Sequence, residues 1–315
     1  MKILITGVHG FVGSNLVKAL SKEHIIYGLD IVSPQKNGVK ATFGWDCLDK
    51  SGEIPEVDAI IHLAGKAHDT KNQSAAEVYF KVNTGLTQKI FDYFLAHDSI
   101  RKFVFFSTAK AAADRVEGVL TEDVVPAPVG PYGESKIKAE EYILSKMEDV
   151  RSKGKDVYIF RPCMIHGPGN KGNLNLLYGV VKKGIPWPLG AFENRRTFTS
   201  IENICFAVNG VLTKNVPSGI YNMGDDEALS TNELIEEICK SLGKKAHIWR
   251  LSKGLMTGIA RVGGILHLPL NPDRLQKLTE NYVSSNAKIK KALGIDRMPV
   301  DARTGLQTTL ESFKI

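Results

Sequence analysis

The chain has 315 residues, 43% of them hydrophobic and 24% charged, which suits one large domain or two modest ones and excludes a disordered polymer. Its 41 Lys and Arg against 34 Asp and Glu leave a formal +7, without the long basic runs interleaved with aromatics that mark a nucleic-acid surface. Cys47, Cys163, Cys205 and Cys239 form no Cys-x-x-Cys pair, no stretch approaches the ~20 apolar residues of a membrane span, and Met1–Gly7 has no signal-peptide core. A cytoplasmic protein without disulfides, structural zinc or membrane insertion is expected.

Short apolar runs at Lys2–Thr6, Ile25–Asp30, Val57–Leu63, Lys102–Ser107 and Val157–Arg161 alternate with helical patterns. That alternation predicts parallel strands joined by crossover helices, an α/β doubly wound sheet of Rossmann type. Phe11–Leu20 and Lys136–Met147 read as two of the helices. After Arg161-Pro162 the segments become rich in Gly and Pro, as in Gly167-Pro168-Gly169 and Gly184–Gly190, and suggest loops shaping a cleft. Gly219–Gly224 is expected to return to the sheet, and Ser230–Leu242 to form a helix capped by Ser230 or Thr231. The expected plan is a dinucleotide-binding domain of residues 1–166 plus about 195–225, with a smaller α+β substrate lobe of residues 167–194 plus about 226–315.

Directly after the first strand, Thr6-Gly7-Val8-His9-Gly10-Phe11-Val12-Gly13 places three glycines in a GxxGxxG spacing that leads into a helix. Absent side chains let such a backbone turn sharply and approach a pyrophosphate, while the helix N-terminus offers N–H donors. Asp30 closes the second strand, where a carboxylate accepts hydrogen bonds from the adenosine ribose and repels a 2′-phosphate, favouring NAD over NADP. Asp46 in Trp45-Asp46-Cys47 is a candidate for the adenine edge and equally a plain turn residue.

An enzyme moving a hydride from an alcohol also needs a group for the hydroxyl proton. Tyr132 and Lys136 lie four apart, on one face of a helix that Pro131 can start, and the ammonium would pull the phenol down from its usual pKa of ~10. Tyr142 with Lys146 and Tyr178 with Lys182 share the spacing. Tyr142 sits about 280° around the helix from Tyr132, so the two cannot face one site. Tyr132 is preferred for its place after the turn Val129-Gly130-Pro131, and the strand ending in Ser107-Thr108 lies upstream to supply a hydroxyl.

These motifs, with Ile61-His62-Leu63-Ala64-Gly65, Val82-Asn83-Thr84-Gly85, Pro131-Tyr132-Gly133-Glu134-Ser135-Lys136 and Arg161-Pro162 through Gly169, resemble the extended short-chain dehydrogenase/reductase family, in its NAD-dependent epimerase/dehydratase branch. The resemblance covers nearly the whole chain. It implies Tyr132 as general acid/base, Lys136 as its activator and ribose ligand, and Thr108, with Ser107 as second choice, as the hydroxyl that bonds the reacting sugar oxygen. NAD would be held by Gly7, Gly10, Phe11, Val12, Gly13, Asp30, Asp46, Leu63, Ala64, Gly65, Asn83, Tyr132 and Lys136. Asn173, Arg195 and Arg196 would contact the nucleotide-sugar, the arginines through charge-assisted bonds to its diphosphate.

Ala109-Lys110 stand where the family's sugar 4,6-dehydratases carry Asp-Glu, which disfavours a dehydratase. Phe160-Arg161-Pro162 departs from the Tyr-Phe-Asn of ordinary UDP-galactose 4-epimerases. The run from His62 to His68 and the Gly184–Arg196 region resemble a bacterial surface-polysaccharide subgroup that includes 4-ketoreductases of UDP-N-acetylated deoxysugars of the quinovosamine type. His62 and His68 are expected to be structural or cofactor-facing, with no metal. The resemblance thus implies an NAD-dependent enzyme acting at C4 of a UDP-hexose or UDP-N-acetylhexosamine, as epimerase or as ketoreductase, and a homodimer through helices near 84–95 and 136–147. A regulator that kept the fold without the chemistry would typically lack the Tyr or the Lys, and both are present.

Overall fold

The computed structural model describes residues 1–50, 52–66, 75–266 and 270–314. Eleven strands are present among them: β1 (Lys2–Thr6), β2 (Ile25–Leu29), β3 (Ala41–Phe43), β4 (Ala59–His62), β5 (Lys102–Phe106), β6 (Val119–Leu120), β7 (Asp156–Pro162), β8 (Met164–His166), β9 (Phe198–Ser200), β10 (Gly219–Met223) and β11 (Val283–Ser284). Seven form one sheet in the order β10-β7-β5-β4-β1-β2-β3, every neighbouring pair parallel. The chain runs outward from β1 in one direction through β2 and β3, then returns to lay β4 on β1's other side. The loops after β1 and β4 therefore diverge, which opens a crevice at the carboxyl ends of the strands.

Alternation along each strand divides the core. Ile3, Ile5, Ile61, Val104, Phe106 and Phe160 face helices Phe11–Leu20 and Ile201–Thr213. Leu4, Leu29, Ile60, Phe103, Phe105 and Ile159 face helices Leu86–Ala96 and Pro131–Ser145. Both faces are covered, so the strands read as continuous apolar runs, and each fully buried Ile or Phe contributes roughly 1.5–3 kcal/mol. A separate cluster with Leu174, Trp187, Ile235, Met256 and Leu306 forms the core of a second lobe. There Ser230 caps helix Thr231–Ser241 in a reciprocal capping box with Glu233.

Three differences from the sequence reading have simple causes. Strand β3 has only three residues at the sheet edge and carries no apolar run to announce it. The helix read over Lys136–Met147 stops at Ser145, and it begins at Pro131, the start already read for Tyr132, because Gly130 at φ 86° turns the chain and Pro131 supplies the first helical φ. Helix Ala287–Leu293, expected in the substrate lobe, instead buries Ile289 and Leu293 in the core of the large sheet, and Met298 follows it there.

Candidate active site

The loop after β1 is as tight as its glycines require. Gly7 has φ 68°, and a Cβ there would stand 3.0 Å from the Ala64 nitrogen. A Cβ on Gly13 would stand 2.4 Å from the Gly7 carbonyl oxygen, so no side chain fits without moving the loop. Gly10 is the N-cap of helix Phe11–Leu20 and bonds Gly7 through its N–H at 3.0 Å. Phe11 and Val12 form the first turn, half-buried against the sheet core, and Phe11 also lies beneath Gly167.

Asp30 follows β2, accepting the His9 N–H at 3.0 Å and the Ile31 N–H at 2.8 Å. Its carboxylate is thereby fixed against the glycine loop. Asp46 sits differently. It lies on the short helical turn Trp45–Asp49, its side chain is 70% exposed, and it pairs with Lys50 at 2.9 Å, which holds its carboxyl below the usual range.

Between the two loops runs a buried relay that fixes the state of His62. Thr6 Oγ1 accepts the N–H groups of Leu63 and Ala64 at 3.1 and 3.0 Å, so its hydroxyl proton goes to His62 Nδ1 at 2.7 Å. Thr87 donates to the Asn83 carbonyl at 2.6 Å and therefore accepts from His62 Nε2 at 3.0 Å. The ring is neutral with its proton on Nε2, and burial together with nearby Lys136 holds its pKa well below the usual value. His62 thus braces Leu63-Ala64-Gly65 against Thr6; His68 lies outside the described residues. Asn83 continues the brace, accepting the Lys66 N–H at 2.7 Å and donating to Ser135 Oγ at 2.9 Å.

Thr108, at the end of β5, caps helix Ala109–Ala112 and hydrogen-bonds Tyr132 across the crevice. Burial raises the Tyr132 phenol above its ordinary pKa; the Thr108 hydrogen bond works against that rise and neighbouring Tyr79 adds to it. The Tyr79 and Tyr132 rings meet edge-on, with centroids 6.4 Å apart. Lys136 is buried, donates from Nζ to the Phe106 carbonyl at 2.8 Å, and is pulled down by burial to about 8. The expectation that Lys136 pulls the phenol toward neutrality is therefore not what the protein alone provides. Its ammonium is anchored on the β5 carbonyl, and desolvation of the phenol outweighs the Thr108 bond. A Cβ on Gly65 would stand 3.1 Å from Lys136 Nζ and 2.9 Å from Asn83 Oδ1, so the bare glycine keeps the amino group's approach open.

Ser107 faces away from this group. Its hydroxyl donates to Glu140, and Glu140 in turn takes Arg161 Nη2 at 2.6 Å and Nε at 3.1 Å. Tyr142 donates to Asp92 at 2.5 Å, and Tyr178 packs on Phe313 in the second lobe, so neither of the tyrosines with matching spacing reaches the site.

Arg195 and Arg196 point to opposite sides of an extended segment, as alternation requires. Arg195 is 62% exposed and meets Glu233 at 3.3 Å. Arg196 turns inward, donates to the Lys277 carbonyl at 2.7 Å, and lies near Glu280, Tyr282 and Cys163. Asn173 opens helix Asn173–Lys182 with its side chain exposed. The sequence reading missed the wall between Arg196 and Thr108: Lys110 Nζ stands 4.7 Å over the Tyr282 ring, and Tyr282 donates its hydroxyl to the Ala113 carbonyl at 2.8 Å. Nothing local announces this wall, because Lys110 and Tyr282 lie far apart in the sequence.

A glycine cradle at a helix N-terminus, a fixed carboxylate after the second strand and a Thr-Tyr-Lys group at the same crevice define a dinucleotide-dependent enzyme of the extended short-chain dehydrogenase type. These residues fit NAD: the cradle leaves no room for a side chain at the helix N-terminus, and the Asp30 carboxylate is held against it. A family model described as the NAD dependent epimerase/dehydratase family matches residues 3–224. The chain is 32% identical over 265 residues to UDP-glucose 4-epimerase of Vibrio cholerae, covering 79% of this chain and 77% of that one. It is 26% identical over 296 residues to N-acetyl-alpha-D-glucosaminyl-diphospho-ditrans,octacis-undecaprenol 4-epimerase of Escherichia coli O157:H7, covering 92% and 84%. It shares its fold with a crystal structure of UDP-glucuronic acid 4-epimerase from Bacillus cereus in complex with NAD, at a TM-score of 0.76, 21% identity and coverage of 100% and 96%. The chain belongs to the NAD-dependent epimerase/dehydratase family. Its cofactor is NAD.

Proposed function

We propose that this protein is a 4-epimerase of a UDP-linked hexose or N-acetylhexosamine, serving surface-polysaccharide synthesis in the cytoplasm as a homodimer. The observation that carries the reading is the hydrogen bond joining Thr108 to Tyr132, one helical turn before the buried Lys136. NAD, held by the glycine cradle and Asp30, would supply the hydride acceptor and donor for the sugar C4. Tyr132 takes the proton from the sugar O4 as the carbonyl forms and returns it when the carbonyl is reduced, so both hydrogens are restored. Thr108 holds the same oxygen, and the Lys136 ammonium, which does not lower the phenol's pKa in the protein alone, would favour its ionised form with NAD and sugar in the site. Arg196, desolvated at the far side of the crevice, holds the diphosphate, with Asn173 and Arg195 nearer the rim. Turning the 4-keto sugar before the hydrogens return inverts C4.

A second reading, a 4-ketoreductase of a UDP-N-acetyl-deoxysugar, uses the same residues with exchangeable cofactor. The departure at Ala109-Lys110 favours both over dehydration, because neither position carries a carboxyl group to run an elimination. The test is to denature the purified protein, assay the released dinucleotide, and incubate the native protein with UDP-glucose and UDP-N-acetylglucosamine. About one NAD per chain and formation of the 4-epimer without added cofactor support the epimerase. Turnover of a 4-keto sugar only with added NADH or NADPH supports the reductase. Nucleotide-sugar binding with no turnover across UDP-, dTDP- and GDP-sugars would instead make the protein a non-catalytic binder. Light scattering tests the dimer expected through helices Leu86–Ala96 and Pro131–Ser145.

A further inference from the structure

Helix Lys253–Ile265 in the second lobe is apolar on two faces. Met256, Ala260 and Gly263 point into the lobe and are buried. Leu255, Ile259 and Val262 point outward at 53%, 45% and 54% exposure, with Leu266 at the C-cap 60% exposed. At 100° per residue these four fall within about 60° of one another, so they form one continuous stripe, and Ile265 at 77% exposure widens it. A water-facing helix surface ordinarily carries polar residues, and a contiguous apolar stripe marks an interaction surface.

The charge along the chain through the stripe is one-sided, up to Asp273 at the start of the helix packed beside it. From Gly243 to Pro272 the sequence contains Lys244, Lys245, Arg250, Lys253 and Arg261 and not one Asp or Glu. All five cations are exposed, Arg261 beside the stripe and Lys253 at the start of the helix, and Trp249 just upstream is 55% exposed. An exposed apolar row flanked by lysine, arginine and an interfacial tryptophan is the composition that rests in the headgroup region of an anionic bilayer. With 13 residues the helix is about 20 Å long, short of the ~30 Å hydrocarbon core, and among the described residues no helix is long and apolar enough to cross a membrane.

The helix also touches the substrate side of the crevice. Lys253 Nζ lies 5.9 Å over the Phe192 ring, in the loop that leads to Arg195 and Arg196. Gly264 approaches Pro272 so closely that a Cβ would stand 3.1 Å from its ring, and the helix beginning at Pro272 supplies the Lys277 carbonyl that anchors Arg196.

We propose that helix Lys253–Ile265 docks this protein on an anionic lipid bilayer, apolar stripe inward and cations on the headgroups, with the substrate crevice held close to the membrane surface. This goes beyond the epimerase reading and does not depend on which sugar is turned over. The test is flotation of the full-length, NAD-loaded protein with vesicles rich in phosphatidylglycerol and with vesicles of phosphatidylcholine alone. The protein should float with the anionic vesicles and be released by high salt. Lys253→Gln and Arg261→Gln should each weaken binding about fivefold, as the loss of one cation near an anionic surface predicts. The double variant Ile259→Glu/Val262→Glu should lose tenfold or more, on the order expected when two buried aliphatic side chains become charged. Epimerase turnover of a UDP-sugar in vesicle-free solution, measured in parallel, tests the other reading separately. A wild-type protein that stays unbound in both vesicle series overturns the docking, as does flotation unchanged in all three variants. A drop in oligomeric mass with Ile259→Glu/Val262→Glu, without loss of flotation, would assign the stripe to a second copy of the chain and equally overturn it.

Discussion

Arg161 and Glu140 meet inside the sheet domain with Nη2 and Oε2 2.6 Å apart, their side chains 2% and 0% exposed. Glu140 stands one helical turn beyond Lys136 and also holds Ser107, the residue before Thr108. The pair thus braces the end of β5 and the catalytic helix from behind.

Removing one partner should cost far more than removing both. Arg161→Met leaves a buried carboxylate without its cation and is expected to destabilise by about 3–5 kcal/mol, whereas Arg161→Met/Glu140→Leu should recover most of that loss. Urea unfolding of the three proteins checks it. Glu140→Gln also removes the charge that supports the Lys136 ammonium, so the alkaline limb of the kcat profile should move to lower pH.

Tyr132→Phe keeps the ring against Tyr79 and removes only the proton carrier. Turnover should fall about 10²- to 10⁴-fold with NAD affinity nearly unchanged. Thr108→Val removes the hydrogen bond that opposes the burial of the phenol, and its activity should fall with the ascending limb of the profile shifted to higher pH. Steady-state kinetics across pH, with NAD content measured by denaturation, separates chemistry from binding.

Lys136 gives a signed pH effect on stability. Burial lowers it to about 8, against an ordinary 10.5, so below pH 8 it is charged in both states and the full penalty of burying an ammonium applies. Between the two values the unfolded chain holds a proton the folded chain has released, and this residue's contribution to stability rises with pH. Lys136→Met should therefore be more stable than the wild type at pH 7, by roughly 2–3 kcal/mol, with the gap closing near pH 10.5. Thermal unfolding at the two pH values reads the difference.

Gly13→Ala places a methyl group 2.4 Å from the Gly7 carbonyl and 2.9 Å from Val8 Cα, both backbone atoms that cannot turn aside. The cradle must widen, and NAD affinity should drop at least about tenfold, a loss of ~1.4 kcal/mol. Gly10→Ala meets the same carbonyl at 3.2 Å and should be milder. Fluorescence titration with NADH ranks the two.

Local rules made much of this protein legible from its sequence. The apolar runs of β1, β2, β4, β5 and β7 are strands because residues buried on both faces need no polar alternation. The glycines at 7, 10 and 13 and the Tyr132–Lys136 spacing are local geometry, readable without partners. Tertiary structure decided what depends on distant neighbours. Ser107 and Thr108 are adjacent hydroxyls on one strand end, and only the β-strand alternation acting with Glu140 and Arg161 turns the first into a brace and leaves the second facing Tyr132. The Tyr132 phenol sits above its ordinary pKa because burial, which no spacing reports, outweighs its hydrogen bond. Lys110 and Tyr282 became one wall, and Ile289 joined the sheet core, through contacts across most of the chain. Sequence determines periodicity, conformation and chemical type, whereas desolvation and long-range pairing exist only once the chain has closed on itself.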